Sequence, residues 1–590
     1  MPSRTAFSCY LFFVCVLSSV LPVFASVDFP RCFAEIKRGM HGTIGGTDNQ
    51  GNPVADITQA TSITYQLCKQ ACGTGGGAFS WSAFSQQFSA WLLPWLALLS
   101  QFPFGSKYNW DNLMSVVLAL GSPCLAAYSL ALTVLNTKWV ARRFANIKYP
   151  NSRDAALLLS SLQQIPLKVT TENSLLASLV VLPENDPWWR ALSEWLDYAD
   201  THTWTIAGVT SVAWVVIAYA LTIIDAFSTI STDPNSNGQG LSGVGSIWLW
   251  MLPLTIGYLQ ISPRCDAVRV TNALARANEI SYVAGPNGAV NADAISDMRA
   301  LSLHPDRGSL FREQDATAPI FLYARLFSFT QVVEDFVSAY RSASEKCRQH
   351  IPVDPTIPWE AGDGKTIHPA NRRGTPAQLG AYCSAPTYVR RSHWGREVFS
   401  RFFIASVAAL ALQWSTSGAS VLIVYFTPTV GKWRRFSGSE SVDGALGLGC
   451  RSGAYLLYAA VATSIWAMLV VSSVIAHYAT VNPEYPDLSQ RVAARVAVFL
   501  RRLAKFLAAC NAAWILTTFL LQFGNFYDRC YCNSDVLGLG KRAHNVMLLE
   551  GSDISPMKAA WIGGVVLAVA GASLFLGFIN VFVDPPLPSE

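Results

Sequence analysis

The chain has 590 residues, 51% of them hydrophobic and only 14% charged, where soluble proteins carry roughly a quarter charged. That balance excludes an ordinary soluble protein and points to an all-α, polytopic helical membrane protein whose first partner is the lipid bilayer. The net charge of +5 is small for the length and spread over loops, so nucleic acid is not an expected partner.

The amino terminus carries Arg4, an apolar run from Ala6 to Val20, and Val23 and Ala25 in the small-x-small spacing of a cleavage site. This predicts a secretory signal peptide over 1–25 and leaves the following segment, 26–87, outside. That exterior segment is polar and glycine-rich ("MHGTIGGTDNQGNP", "CGTGGGAFSW"), with little from which to build a core. At 88–104, "AWLLPWLALLSQFPFG" supplies about fifteen apolar residues, roughly 22 Å of helix, interrupted by Pro94 and flanked by Trp91 and Trp95. Tryptophan favours the interface, so the stretch reads as re-entrant rather than crossing, with an additional, eighth helix as the alternative.

Seven stretches read as firm transmembrane helices: 112–135, 204–224, 245–261, 402–426, 453–476, 506–521 and 559–582. They fall into two groups, 112–261 and 402–582. A cytosolic loop, 136–203, interrupts the first group, a cytosolic helical domain and linker, 262–401, separates the two, and a tail, 583–590, follows. The loop's "RDAALLLSSLQQIP" and "NDPWWRALSEWLDYAD" have helical apolar spacing that suits the membrane surface or the underside of the bundle. Residues Ile351 to Pro386 are rich in proline and glycine and read as a flexible linker.

The positive-inside rule supports this topology. Lys138, Arg142, Arg143, Lys148, Arg264, Arg269, Arg276, Arg396, Arg401, Arg501, Arg502 and Lys505 all fall on the cytosolic side. Lys432, Arg434, Arg435, Lys541 and Arg542 fall outside and oppose it. The same topology puts six candidate disulfide cysteines outside: Cys32, Cys68, Cys72, Cys450, Cys530 and Cys532. Six cysteines allow fifteen connectivities, and spacing does not choose among them, although a direct bond within "RCYCN" is strained. Cys265, Cys347 and Cys383 fall in the cytosol, and Cys124 and Cys510 in spans.

No catalytic, cofactor or metal site is expected. "EAGDGKTIHP" has Gly364, Lys365 and Thr366 but Trp359 where a phosphate loop needs glycine. His304, His350, His368 and His393 show no paired spacing, and zinc would find only His41 and His544 beside the exterior cysteines. The chemistry the spans do offer is polar: Gln413 heads "QWSTSGAS", which reads chiefly as interhelical hydrogen bonding. Pro94 and Pro253 break two short tryptophan-bearing segments, a pattern that marks binding sites in some transporters. Pro94, Pro253 and Gln413 therefore form a speculative membrane binding site.

"FSQQFSAWLLPWLALLSQFPFG", "LLASLVVLPENDPWW" and "SIWLWMLPLTIGYLQISPRC" resemble segments of uncharacterised multi-pass membrane proteins of filamentous fungi. The resemblance implies a fungal integral membrane protein and carries no assigned activity. The expected function is a non-enzymatic receptor-like sensor or scaffold of the cell surface or endomembranes, with a possible cytosolic protein partner at 262–401. The alternative is a transporter or channel for a solute or lipid.

Overall fold

A computed structural model describes residues 27–79, 81–106, 109–197, 204–229, 246–286, 288–295, 297–303, 317–363, 366–384, 393–425, 449–480 and 487–583. The apolar run at 1–25, the loop around 230–245, His304, Lys432, Arg434, Arg435 and residues 584–590 lie outside them.

The apolar segments gather into one helical bundle with a common core. In chain order its helices are α1 (Trp81–Gln87), α2 (Leu93–Leu99), α3 (Asn109–Gly121), α4 (Pro123–Phe144), α5 (Ile206–Thr229) and α6 (Met251–Ile261). Then follow α7 (Val398–Tyr425), α8 (Cys450–Tyr478), α9 (Leu488–Phe523) and α10 (Gly551–Phe582). Among the described residues five helices are long and apolar enough to cross a membrane: Ile206–Ile224 within α5, all of α7, α8 and α9, and Met557–Phe582 within α10. The expectation of seven firm spans is thus met in part. Ser246–Ile261, which contains α6, is shorter, and α3 with α4 is long and apolar enough only when the two are taken together, as a pair bent by 105°.

That bend corrects the reading of 112–135 as one straight span. α3 starts beside residues that cap one end of the bundle: Asn112 holds the backbone of Ser106, and Ala267 N–H donates to Gly105. It ends at Gly121, deep in the bundle, and α4 returns to the same end, where Lys138 lies over the ring of Phe582 at 4.1 Å. Gly121, Ser122 and Pro123 make the break. Ser122 caps α4 by accepting from Leu125 N–H, and Pro123 sits in the first turn, where its missing N–H costs nothing.

The stretch 88–104 is part of a longer helical segment that lies along the bundle. Phe84 in α1 meets Phe523 at the far end of α9, while Phe102, just past α2, meets Tyr258 at the near end. From Trp81 to Leu99 the chain is helical throughout, with a π-turn at Phe88–Leu92, and 19 residues give about 28 Å. The wider turn directly precedes Pro94, whose ring would otherwise press on the carbonyl four residues back.

Two further bodies cap the bundle at opposite ends. One is a small head in which helices Phe29–Lys37 and Tyr65–Ala71 pack with a three-stranded antiparallel sheet of Gly46–Thr47, Ser62–Thr64 and His544–Val546. Its core is Phe33, Ile36, Ile57, Ile63 and Leu67. The expected lack of a core therefore does not hold: the third strand comes from nearly 500 residues away.

At the other end, the described parts of 136–203 and 262–401 share one core. Trp189 packs edge-on against Phe336 and Tyr340 of helix Leu326–Arg348, with Trp188 against it in the same core. Strand Leu167–Val169 pairs with Leu301–Leu303, joining the two segments through backbone bonds. The expected linker, 351–386, is in its described part structured. Arg372 makes a two-pronged bond to Asp186 at 2.7 and 2.8 Å and donates to Val181 O, and helix Pro376–Cys383 carries a capping box at Thr375 and Gln378.

Candidate functional site

All six cysteines expected outside are paired at the head end: Cys32 with Cys72, Cys68 with Cys530, and Cys450 with Cys532. Cys530 and Cys532 occupy one helical turn, so their side chains point about 200° apart. One therefore enters the head core and the other meets the start of α8. The sulfurs of Cys68, Cys72 and Cys530 lie within 4.8 Å of one another. Each is already in a disulfide, which leaves no thiolate to bind a metal.

The free cysteines divide differently. Burial pushes the Cys265 and Cys383 thiols up to about 12, and that of half-buried Cys347 rises by the same cause. With the thiolate as the reactive form, a maleimide should label Cys347 in the native protein at least tenfold faster than Cys265 or Cys383. Mass spectrometry of timed samples checks this. Fast labelling of Cys383 would mean that helix Pro376–Cys383 is not seated.

Of the three speculative site residues, Gln413 is the one with a defined chemical role. Fully buried, it accepts from Cys124 N–H at 3.0 Å and donates to Ala459 O at 3.0 Å and Thr463 Oγ1 at 2.8 Å. The other backbone groups around the break are met in the same way. Asn511 donates to Gly121 O and Tyr458 O, Tyr458 OH donates to Leu120 O, and Ser122 OH donates to Ala462 O. Helices α7, α8 and α9 thus each supply polar side chains to a helix break inside an apolar bundle, where water cannot. Pro94 and Pro253 are buried elsewhere, on the neighbouring segments α2 and α6, and Gln413 does not join them.

Two cavities lie at the end of the bundle that carries the larger domain. The first, about 210 Å³, is lined by Thr133, Thr137, Ser160, Ser161, Gln163, Gln260 and Arg264 among others. Gln163 and Gln260 each keep a buried amide oxygen without a donor, so the cavity suits water or a hydroxyl-bearing group. The second, about 220 Å³, is lined by Arg142, Arg143, Arg341, Arg348, Asn146, Ile147, Ser344 and Glu345. Sequence reading noted Arg142 and Arg143 only as markers of sidedness. Their meeting with Arg341 and Arg348 has no spacing signal, because two distant segments create it.

Two other groupings were also invisible in the sequence. His393 and His477 stack at 4.1 Å, and each ring nitrogen bonds the other residue's backbone oxygen, at 3.0 and 2.8 Å. At the head end, Arg451 is buried with Nε and Nη1 lacking acceptors, 5.8 Å from the Tyr527 ring and under the influence of Asp528.

Fold and sites together define a class: an apolar helical bundle of membrane-crossing dimensions, with a disulfide-tied head at one end and a mixed helical domain at the other. Compared with protein-family models, curated proteins and solved structures, the chain matches none.

Proposed function

We propose that the protein is a non-enzymatic membrane scaffold or receptor-like sensor of the cell surface or secretory-pathway membranes, with its head outside and its helical domain in the cytosol. The observation that carries this reading is the pair of separately cored bodies at opposite ends of one apolar bundle. Sidedness follows from two independent features. Disulfides belong in an oxidising compartment, and Lys138, Arg142, Arg143, Arg396 and Arg401 gather at the other end.

In this topology seven segments cross: Trp81–Leu99, α5, the segment Ser246–Ile261, α7, α8, α9 and α10. The pair α3 and α4 enters from the cytosolic side and returns. Exchanging the roles of 88–104 and 112–135 leaves every later loop on the side the charge bias requires. A broken helix is also a transporter device. Here its backbone groups are bonded by Gln413, Asn511 and Tyr458, which favours a structural role.

Single-cysteine reporters test the topology. Gln59→Cys, exposed on the head, should label in intact cells, and Thr271→Cys, exposed on the domain, only after permeabilisation. The opposite pattern would reverse the topology. Saturable, protein-dependent flux of an ion, sugar or amino acid into reconstituted vesicles would replace the scaffold reading with a transporter.

A further inference from the structure

We infer that the cavity bounded by Arg142, Arg143, Arg341 and Arg348 is a binding site for a phosphate-bearing anion, on a membrane lipid headgroup or a soluble compound. Four guanidinium groups around about 220 Å³ give the planar, multiply donating surface that phosphate oxygens accept from. Two of the four are held in place from the side. Arg142 bonds Glu397 at 3.0 Å, and Arg143 bonds Glu334 at 2.7 Å.

The other two are not neutralised in this way. Among the described residues the side chains of Arg341 and Arg348 make no ion pair or hydrogen bond, and Glu345 is the acidic residue in the lining. The charges acting on Arg341 come from Arg143, Arg396 and Glu334, so two of the three repel it. Arg143 also keeps a buried Nε–H with no acceptor. Assembling like charges around an open cavity is unfavourable unless an anion joins them. Ser344 on the wall adds a hydroxyl, although it now donates to Lys148 O.

Position favours the lipid as source. Arg142 sits one turn past Lys138, which lies over the last residue of α10, and its partner Glu397 immediately precedes α7. The cavity therefore opens where the apolar part of the bundle ends, the level at which basic pockets meet lipid headgroups. Its ligand chemistry does not depend on which compartment that end faces, so this inference can fail or hold independently of the proposed topology.

The test uses the full-length protein in detergent micelles, titrated with short-chain phosphatidylinositol bisphosphate, free inositol trisphosphate, inorganic phosphate and short-chain phosphatidylcholine. The phosphorylated inositol ligands should bind the wild type. R341Q/R348Q should bind them at least tenfold more weakly while melting at the wild-type temperature, since both side chains are exposed. A charge-matched control on the same domain, K168Q/R190Q, should bind as the wild type does. Tighter binding of the lipid than of its free headgroup, by tenfold or more, assigns the site to a membrane lipid; equal binding assigns it to a soluble phosphate compound. The inference is overturned if none of the phosphate-bearing probes binds, or if R341Q/R348Q binds them unchanged.

Discussion

A chain cut once by a protease site engineered at the exposed residues 361–363 should run as one species on a denaturing, non-reducing gel and as two fragments after reduction. The cut separates Cys32, Cys68 and Cys72 from Cys450, Cys530 and Cys532. Of the three disulfides, Cys68–Cys530, whose partners are 462 positions apart, is the one that bridges the cut. Cys32–Cys72 is local to the head, and Cys450–Cys532 lies wholly in the second fragment. Replacing Cys68 and Cys530 together by serine should release the fragments without reductant. The same variant should lose about 2–5 kcal/mol of stability, the usual cost of removing a native disulfide. The loss falls on the head, whose small core is closed by this bond and by the strand His544–Val546. Separation of the wild-type fragments without reductant would refute the pairing, and with it the docking of the head on the 524–550 segment.

Gly121→Ala should be the most damaging single methyl group in the bundle. A Cβ at this position would lie 2.3 Å from Ala508 O, and the obstacle is backbone, which cannot swing aside as a side chain can. Overpacking costs about 1–3 kcal/mol where neighbours relax, and here the upper end or more is expected. The clash would also push α3 off α9 and stretch the bond from Asn511 to Gly121 O, now 2.8 Å. Gly563→Ala is the control, because nothing lies within 4 Å of a Cβ there. Thermal melts of the purified protein, followed through its 19 tryptophans, make the comparison. The two variants melting together would mean that α3 and α9 are not in contact at Gly121.

The same break shows what a linear reading could and could not recover. Residues 112–135 are apolar enough to span, and hydropathy does not register a bend, so a broken pair of helices scores like one continuous helix. A local signal was nonetheless present. Glycine followed by Ser-Pro is a helix stop and a new helix start, with Ser122 capping and Pro123 in the first turn. At Trp81–Leu99 the sequence showed only the shorter stretch 88–104, which Pro94 made look broken. The π-turn that keeps the helix continuous has no sequence mark.

The sequence by itself determined the class, because a chain this apolar and this poor in charge cannot hide its surface in one soluble core. It also set six cysteines apart from the rest, by the pattern of hydropathy and charge around them, and these six are the ones paired in the structure. Which cysteine meets which, where an apolar segment breaks and which arginines share a cavity were decided only by tertiary structure. Those are contacts between residues tens to hundreds of positions apart, such as Arg143 with Arg341 or Ile63 with Asn545. Composition and periodicity report what a residue prefers to be buried in, and packing alone selects the partner that buries it.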